Sequence, residues 1–252
     1  MEEKKKHRRY GLLGKDIGYS FSRGYFTEKF EKLKIKNSEY VNFDISTIED
    51  FDALIENNKS ELHGMNVTIP YKEAVIPYLD KIDKTARKIG AVNTIKFTKR
   101  GLLKGYNTDV FGFENSLKPL LEKHHSHALI LGTGGASKAI SFSLKQLGIK
   151  YKFVSRTPFK KKEIAYTDLT ERVLKKYTVI INSSPVGTFP TVHLKPQIPY
   201  QHITDRHLLF DLIYNPAITS FLKEGEAKGA QIKNGLQMLE LQAEESWRIW
   251  NQ

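Results

Sequence analysis

The run from Leu129 to Ala139, Leu-Ile-Leu-Gly-Thr-Gly-Gly-Ala-Ser-Lys-Ala, constrains this chain more than any other stretch. An apolar run, His127 to Leu131, ends in a glycine turn, and a helix-forming stretch, Ala136 to Leu147, follows at once. Strand, turn and helix in that order are the setting in which a Gly-rich loop lets the backbone approach a pyrophosphate at a helix N-terminus. A dinucleotide site usually opens its domain, yet more than 120 residues come first. The expectation is therefore a separate N-terminal domain that handles the substrate.

Gly132 and Gly134 fit the first two glycines of the dinucleotide fingerprint, while Ser137 stands where the third would be. Alone, such a loop also reads as an ordinary strand-to-helix turn. Tyr151 to Val154 reads as the next strand, and an NAD site shows an acid for the ribose hydroxyl about 20 residues past the first glycine. Here Ser155-Arg156-Thr157 stands there, with Lys160 shortly after. An arginine suits a 2′-phosphate, so the reading sharpens to NADP. The competing reading is a solvated basic loop, because Lys160-Lys161-Lys162 is a charge run.

A chain of 252 residues forms one large or two smaller domains, and either buries a real core. The absence of cysteine excludes disulfides, thiolate catalysis and Cys-based metal sites, and it accords with a cytoplasmic enzyme. No apolar run reaches the roughly 18 residues of a membrane span. The charged start, Met1 to Arg9, lacks the apolar stretch of a secretory signal. A net charge of +12 raises a nucleic-acid reading. The basic residues are dispersed, however, over Lys4–Arg9, Lys81–Lys88, Lys96–Lys104 and Lys160–Lys162, and no nucleic-acid motif accompanies them. A small anionic substrate and a phosphorylated cofactor also favour positive potential.

Strand-like runs recur at Leu129–Leu131, Tyr151–Val154, Val179–Ile181, Leu208–Phe210 and Ala230–Ile232, with helical patterns such as Leu169–Lys176 and Ile218–Lys228 between them. Strands alternating with helices indicate parallel βαβ units. The first half mixes strand-like Tyr10–Leu13 and Tyr40–Phe43 with helical Phe26–Leu33 and Ile48–Ile55. It ends in a hairpin, Ala91–Phe97 with Leu102–Tyr106. The last helix, Leu236 to Trp250, is long and amphipathic.

Four polar motifs punctuate the first half: Ser20-Phe21-Ser22, Asn66-Val67-Thr68-Ile69-Pro70-Tyr71-Lys72, Ala91-Val92-Asn93-Thr94 and Tyr106-Asn107-Thr108-Asp109. Each places hydroxyls or amides beside apolar neighbours, as a pocket for a polyhydroxylated ligand requires. Structural readings compete: Ser22 as cap of a helix starting near Gly24, Asp109 as N-cap of a helix Val110–Leu121, Thr68 and Asn93 as turn or strand residues, Lys72 as a surface lysine.

With these motifs, Gly90–Thr94, Asn182–Gly187, Asp211–Pro216 and Gly235–Leu239 followed by Gln242, the sequence resembles shikimate dehydrogenase from Ser20 to Gln242. That family reduces 3-dehydroshikimate to shikimate with NADPH in aromatic biosynthesis. The resemblance implies an α/β fold of two domains: an N-terminal substrate domain over 1–108, completed by 236–252, and a Rossmann-type parallel-sheet NADP domain over 109–235. It implies that Ser20 and Ser22 hold the substrate carboxylate and that Thr68, Asn93, Asp109, Tyr214 and Gln242 contact the substrate. Lys72 falls on the catalytic lysine, with Asp109 as its partner. Gly132, Thr133, Gly134, Gly135 and Ala136 fall on the pyrophosphate loop. Ser155, Arg156, Thr157 and Lys160 fall on the 2′-phosphate loop, and Leu212 and Gly235 line the nicotinamide side.

Several positions depart from the family pattern. Gly14-Lys15-Asp16 replaces a Gly-x-Pro turn, Arg23 a proline and Ser155 an asparagine, and the segment Lys160–Tyr177 is short. The expected partners are a small molecule and neither nucleic acid nor membrane, with the chain a monomer or homodimer. No metal is expected, the His124, His125 and His127 cluster included. The rivals are a quinate/shikimate dehydrogenase with broader substrate or NAD use, and a non-catalytic ligand-sensing relative.

Overall fold

A computed structural model describes His7–Gly18 and Ser20–Gln252. The chain divides into two compact units, 1–108 with 243–252, and 109–242. The sequence reading assigned all of 236–252 to the first domain. The last helix is continuous, so nothing in its sequence marks the change at Gln242.

In the first unit the elements run β1 (Arg8–Gly14), α1 (Phe21–Lys32), β2 (Ser38–Asp44), α2 (Phe51–Asn58), β3 (Leu62–Val67), α3 (Tyr71–Ala74), β4 (Lys81–Ile82), α4 (Lys84–Ile89), β5 (Thr94–Phe97) and β6 (Leu103–Tyr106). The strands form one sheet in the order β2-β1-β3-β5-β6-β4. β1 is parallel to both β2 and β3, whereas β5 is antiparallel to β3 and to β6. The expected hairpin is present, with Gly101 at φ +77° in its turn, a conformation that glycine adopts without strain.

One face of this sheet packs Leu13, Met65, Val67 and Ile95 against Phe51, Val75 and Ala86. Another cluster is aromatic: Tyr10, Phe26, Phe30 and Tyr40 close on Ile249 and Trp250. Phe26 and Tyr40 stack with centroids 4.7 Å apart, and Trp250 lies 5.1 Å from Tyr10 and donates its indole N–H to the Ile95 carbonyl at 3.0 Å. Gly64 makes that approach possible, since a Cβ there would stand 2.5 Å from the indole.

The second unit runs α5 (Asp109–Leu117), β7 (His127–Leu131), α6 (Gly135–Gln146), β8 (Lys150–Ser155), β9 (Glu163–Ala165), α7 (Glu171–Lys176), β10 (Val179–Asn182), β11 (Leu208–Asp211), α8 (Ser220–Glu226), β12 (Gln231–Lys233) and α9 (Leu236–Trp250), whose last residues join the first unit. All six strands are parallel, in the order β9-β8-β7-β10-β11-β12. This is the doubly wound order, with its reversal between β7 and β10. Alternation explains the continuous apolar runs. Ala128, Ile130, Val179, Ile181, Leu208 and Phe210 bury on one face, and Leu129, Leu131, Ile180 and Leu209 on the other. β9, absent from the sequence reading, is three residues long and leaves too little pattern to detect.

Candidate active site

In the first unit, Ser20 caps α1 and its Oγ accepts the Arg23 N–H at 3.4 Å. The cap is therefore Ser20 and not Ser22, and the helix starts at Phe21 rather than near Gly24. Ser22 is buried inside the first turn, its hydroxyl beside that of Tyr40. Burial drives the Tyr40 phenol far above its ordinary range, and its O–H donates to Asn66 Oδ1 at 2.9 Å. The turn before these serines departs from Gly-x-Pro for a visible reason. Asp16 sits at φ +55°, which proline cannot adopt, and the Asp44 carboxylate accepts the N–H groups of Asp16 and Ile17 at 3.0 and 3.1 Å.

Thr68, Lys72 and Asn93 are brought together by the backbone. Thr68 follows β3 and donates its N–H to Leu13, while its carbonyl accepts from Tyr71. Lys72 lies on the short α3, and its carbonyl accepts the Val92 N–H at 2.7 Å, one residue before Asn93. Asn93 is buried: its carbonyl accepts from Val67, and its Oδ1 accepts the Thr108 N–H at 2.7 Å. Behind it, Asn66, Thr94, Thr108 and Ser246 share a buried hydroxyl–amide network at 2.8–3.2 Å. Asn93 is thus a strand-end residue that also anchors this network, a use that spacing does not reveal.

The second unit carries the remaining candidates. Asp109 is buried and is the first residue of α5, inside the helix rather than its N-cap. The glycine loop joins β7 to α6 at the C-terminal edge of the sheet, next to the reversal between β7 and β10, where open α/β sheets bind ligands. Gly132 takes φ +109°, which favours glycine. A Cβ at Gly134 or Gly135 would meet nothing within 4 Å, so the loop faces open space at the start of α6. With Thr133 and Ala136 these glycines fit a pyrophosphate held by backbone N–H groups. Ser137, in place of the third glycine, turns its hydroxyl onto the Gly134 carbonyl at 2.6 Å.

Ser155 ends β8, and its Oγ accepts the Thr157 N–H at 3.3 Å. Arg156, Thr157 and Lys160 are exposed. Glu163 orders this arm from behind, its carboxylate accepting the N–H groups of Phe159 and Lys160 at 3.0 and 3.4 Å. No carboxylate stands at the end of β8, so the residues present fit a phosphate ester better than a ribose diol.

Leu212 and Tyr214 lie on the loop after β11, where burial pushes the Tyr214 phenol up. Gly235 packs so tightly on Leu212 that a Cβ would collide with its carbonyl. Gly235, Met238 and Gln242 are all buried, in keeping with their spacing along one helix face. Two of the clustered histidines reach one main-chain carbonyl. The rings of His124 and His125 lie 2.9 and 3.2 Å from the Arg206 carbonyl, and the Glu122 N–H donates to His125 Nδ1. Among the described residues no group of three or more His, Asp or Glu is placed to hold a metal, and no helix is long and apolar enough to cross a membrane.

Sequence reasoning missed Asp211, Asn182 and Thr219, which join beneath these loops. The available signal was a polar residue closing each of two apolar strand runs.

A sequence profile of the shikimate dehydrogenase substrate binding domain matches residues 12–95. The shikimate dehydrogenase (NADP(+)) of Methanococcus vannielii is 38% identical, over 95% of this chain and 90% of that protein. The crystal structure of shikimate dehydrogenase from Aquifex aeolicus superposes with a TM-score of 0.85 at 35% identity, covering 100% of this chain and 94% of that one. The Thermus thermophilus shikimate 5-dehydrogenase, solved with NADP(H) and shikimate, gives 0.84 at 29% identity, covering 96% and 93%. With its glycine loop on a doubly wound sheet and such similarity end to end, the chain belongs to the shikimate dehydrogenase family.

Proposed function

We infer that this chain catalyses the NADPH-dependent, reversible reduction of 3-dehydroshikimate to shikimate, a step of chorismate and aromatic amino acid biosynthesis. The observation that carries the reading is the coincidence of the Gly132–Ala136 loop, open to a ligand, with a β8 end that bears Arg156 and no acid. We assign 1–108 with the C-terminal residues to substrate binding and the parallel-sheet unit to NADP. NADPH, when bound, supplies the hydride that reduces the C3 carbonyl carbon. The oxygen left with the electron pair takes a proton. Lys72 holds that proton and gives it up, its positive charge stabilising the developing alkoxide. Asp109 orients the lysine and accepts from the neighbouring substrate hydroxyl. Thr68, Asn93, Tyr214 and Gln242 complete the polar contacts, and Leu212 and Gly235 form the apolar wall beside the nicotinamide.

Arg156 argues against a preference for NAD, and the presence of both Lys72 and Asp109 against a relative that only senses its ligand. We assign a cytoplasmic enzyme without a nucleic-acid or membrane partner, working as a monomer or homodimer. The dispersed basic residues argue against nucleic acid, and the absence of cysteine accords with the cytoplasm. Purified protein mixed with shikimate and NADP⁺ should generate NADPH absorbance. Silence with shikimate but turnover with quinate, or preference for NAD⁺, would move the assignment to the broader relatives.

Ser20 and Ser22 are proposed to hold the substrate carboxylate. The double alanine variant should raise the shikimate KM at least about tenfold, the scale of hydrogen bonds to a charged group, and leave NADP affinity unchanged. Loss of the Ser20 cap should also cost about 1 kcal/mol of stability. A stability loss with an unchanged KM would reduce the pair to helix capping and packing.

A further inference from the structure

Beneath the candidate loops of the second unit lies a buried polar knot that no step above uses. Asp211, the last residue of β11, is fully buried. Its Oδ1 accepts the Ile213 N–H and the Asn182 Nδ2–H, each at 3.0 Å, and its Oδ2 accepts the Thr219 Oγ1–H at 2.6 Å. Asn182, the last residue of β10, is equally buried, and its Oδ1 accepts from the N–H and Oγ–H of Ser184 at 3.1 and 2.6 Å. Thr219 is the N-cap of α8.

A carboxylate enclosed by a parallel sheet is costly, and an apolar residue would end the strand as well. What the carboxylate adds is connection. It grips both ends of the loop Leu212–Thr219, where the Ile213 carbonyl also accepts the Gly235 N–H at 3.0 Å and the Ala217 carbonyl accepts the Asn234 amide at 2.9 Å. Through Asn182 it also reaches Ser184, and the adjacent Ser183 donates its hydroxyl to the Leu131 carbonyl at 2.9 Å, next to the glycine loop. Asp211 thus holds the loop after β11 directly and, through Asn182, the start of the loop after β10, which adjoins the glycine loop.

We propose that Asp211 is a positioning residue of the reaction: ionised, its carboxylate fixes the loop that presents Leu212 and Tyr214 to cofactor and substrate. The proposal rests on the assignment of those two positions made above. Burial raises the Asp211 carboxyl to about 6, against the pull of its three hydrogen bonds. Of the titratable groups, the Tyr200 phenol faces it, and Tyr200 in turn faces Tyr166 and the Glu224 carboxylate on α8, which is ion-paired with Lys195. No cation is among the causes that shift it. As the pH falls through about 6, the carboxyl takes up a proton and loses an acceptor, so this contribution to turnover is present above that pH and lost below it.

The test is the pH profile of kcat/KM for shikimate, from pH 5 to 8, in four proteins. Asp211→Asn mimics the neutral acid, and kcat/KM at pH 8 should fall about tenfold, as for a slightly misplaced reacting group, with the acid limb flattened. Thr219→Val removes a hydrogen bond that favours the charged form, so the limb should move up by about half a unit to one unit. Thr219→Ser should restore it. The phosphate ester of NADP titrates near 6 as well, and for that reason the displacement of the limb, rather than its existence, is decisive. Hydrogen exchange over residues 208–219 in the absence of ligands supplies a readout independent of turnover. Protection at pH 8, corrected for intrinsic rate, should be lower in Asp211→Asn and Thr219→Val than in the wild type, because each loses a hydrogen bond that ties the loop's ends. A wild type without turnover that nonetheless shows this exchange pattern would sink the assigned reaction while keeping the carboxylate's hold on the loop. An active enzyme whose limb ignores both Asp211 and Thr219, or whose exchange over this loop is the same in Asp211→Asn as in the wild type, would overturn the proposal.

Discussion

Lys72→Ala should lower turnover by roughly 10²–10⁴, the scale of a positioned acid–base group. The local structure makes this a clean experiment. The main-chain tie from Lys72 to Val92 uses the carbonyl, which alanine keeps, and α3 tolerates alanine well. Shikimate binding should weaken far less than turnover, because Ser20, Ser22, Thr68 and Asn93 are untouched. The measurement is kcat and KM for shikimate at saturating NADP⁺, with the shikimate Kd from titration. Near-normal kcat in the folded variant would falsify the proton-donor role and leave Lys72 a surface cation.

Arg156→Ala should weaken NADP by roughly 10- to 150-fold. A hydrogen bond to a charged group contributes on the order of 1.5–3 kcal/mol, and each 1.36 kcal/mol is a factor of ten. NAD lacks the phosphate, so its affinity should stay put and the preference for NADP should shrink by the same factor. The side chain is exposed, so its removal leaves no cavity. Lys160 stands four residues on, in the arm that Glu163 orders, and it shares the load. The single variant then falls at the low end of the range and Arg156→Ala/Lys160→Ala goes further. The ratio of kcat/KM for NADP and NAD in the three proteins decides the matter. A ratio indifferent to both changes would place the reading of the phosphate elsewhere.

What could be read from the sequence follows from how locally each feature is encoded. β7 was legible to its ends, His127–Leu131, because a strand buried on both faces is one apolar run closed by glycine. α9 was legible over Leu236–Trp250 because a long helix repeats its pattern several times. β3 was missed: Leu62–Val67 contains His63, Gly64 and Asn66, whose roles are to make room for Trp250 and to feed a buried network. β4, two residues long, carries no pattern at all. Gly24 suggested a helix start that the Ser20 cap sets earlier. Among site residues, those in short motifs could be found by motif. Asp211 and Asn182 open two of those motifs, but their role was not legible, since Asp211's partners Thr219 and Asn182 stand eight and 29 positions away.

The aromatic cluster of the first unit has a bearing on how the chain is made. Its sheet, β1 to β6, is complete once Tyr106 has been synthesised, yet Trp250 and Ser246 arrive some 140 residues later. Until then Gly64 faces no indole, the Ile95 carbonyl has no donor from Trp250, and Asn66, Thr94 and Thr108 lack the hydroxyl that joins them. During translation the parallel-sheet unit emerges and can close on itself while the older unit still waits for residues 243–252. Of the two units, the one begun first is the one completed second.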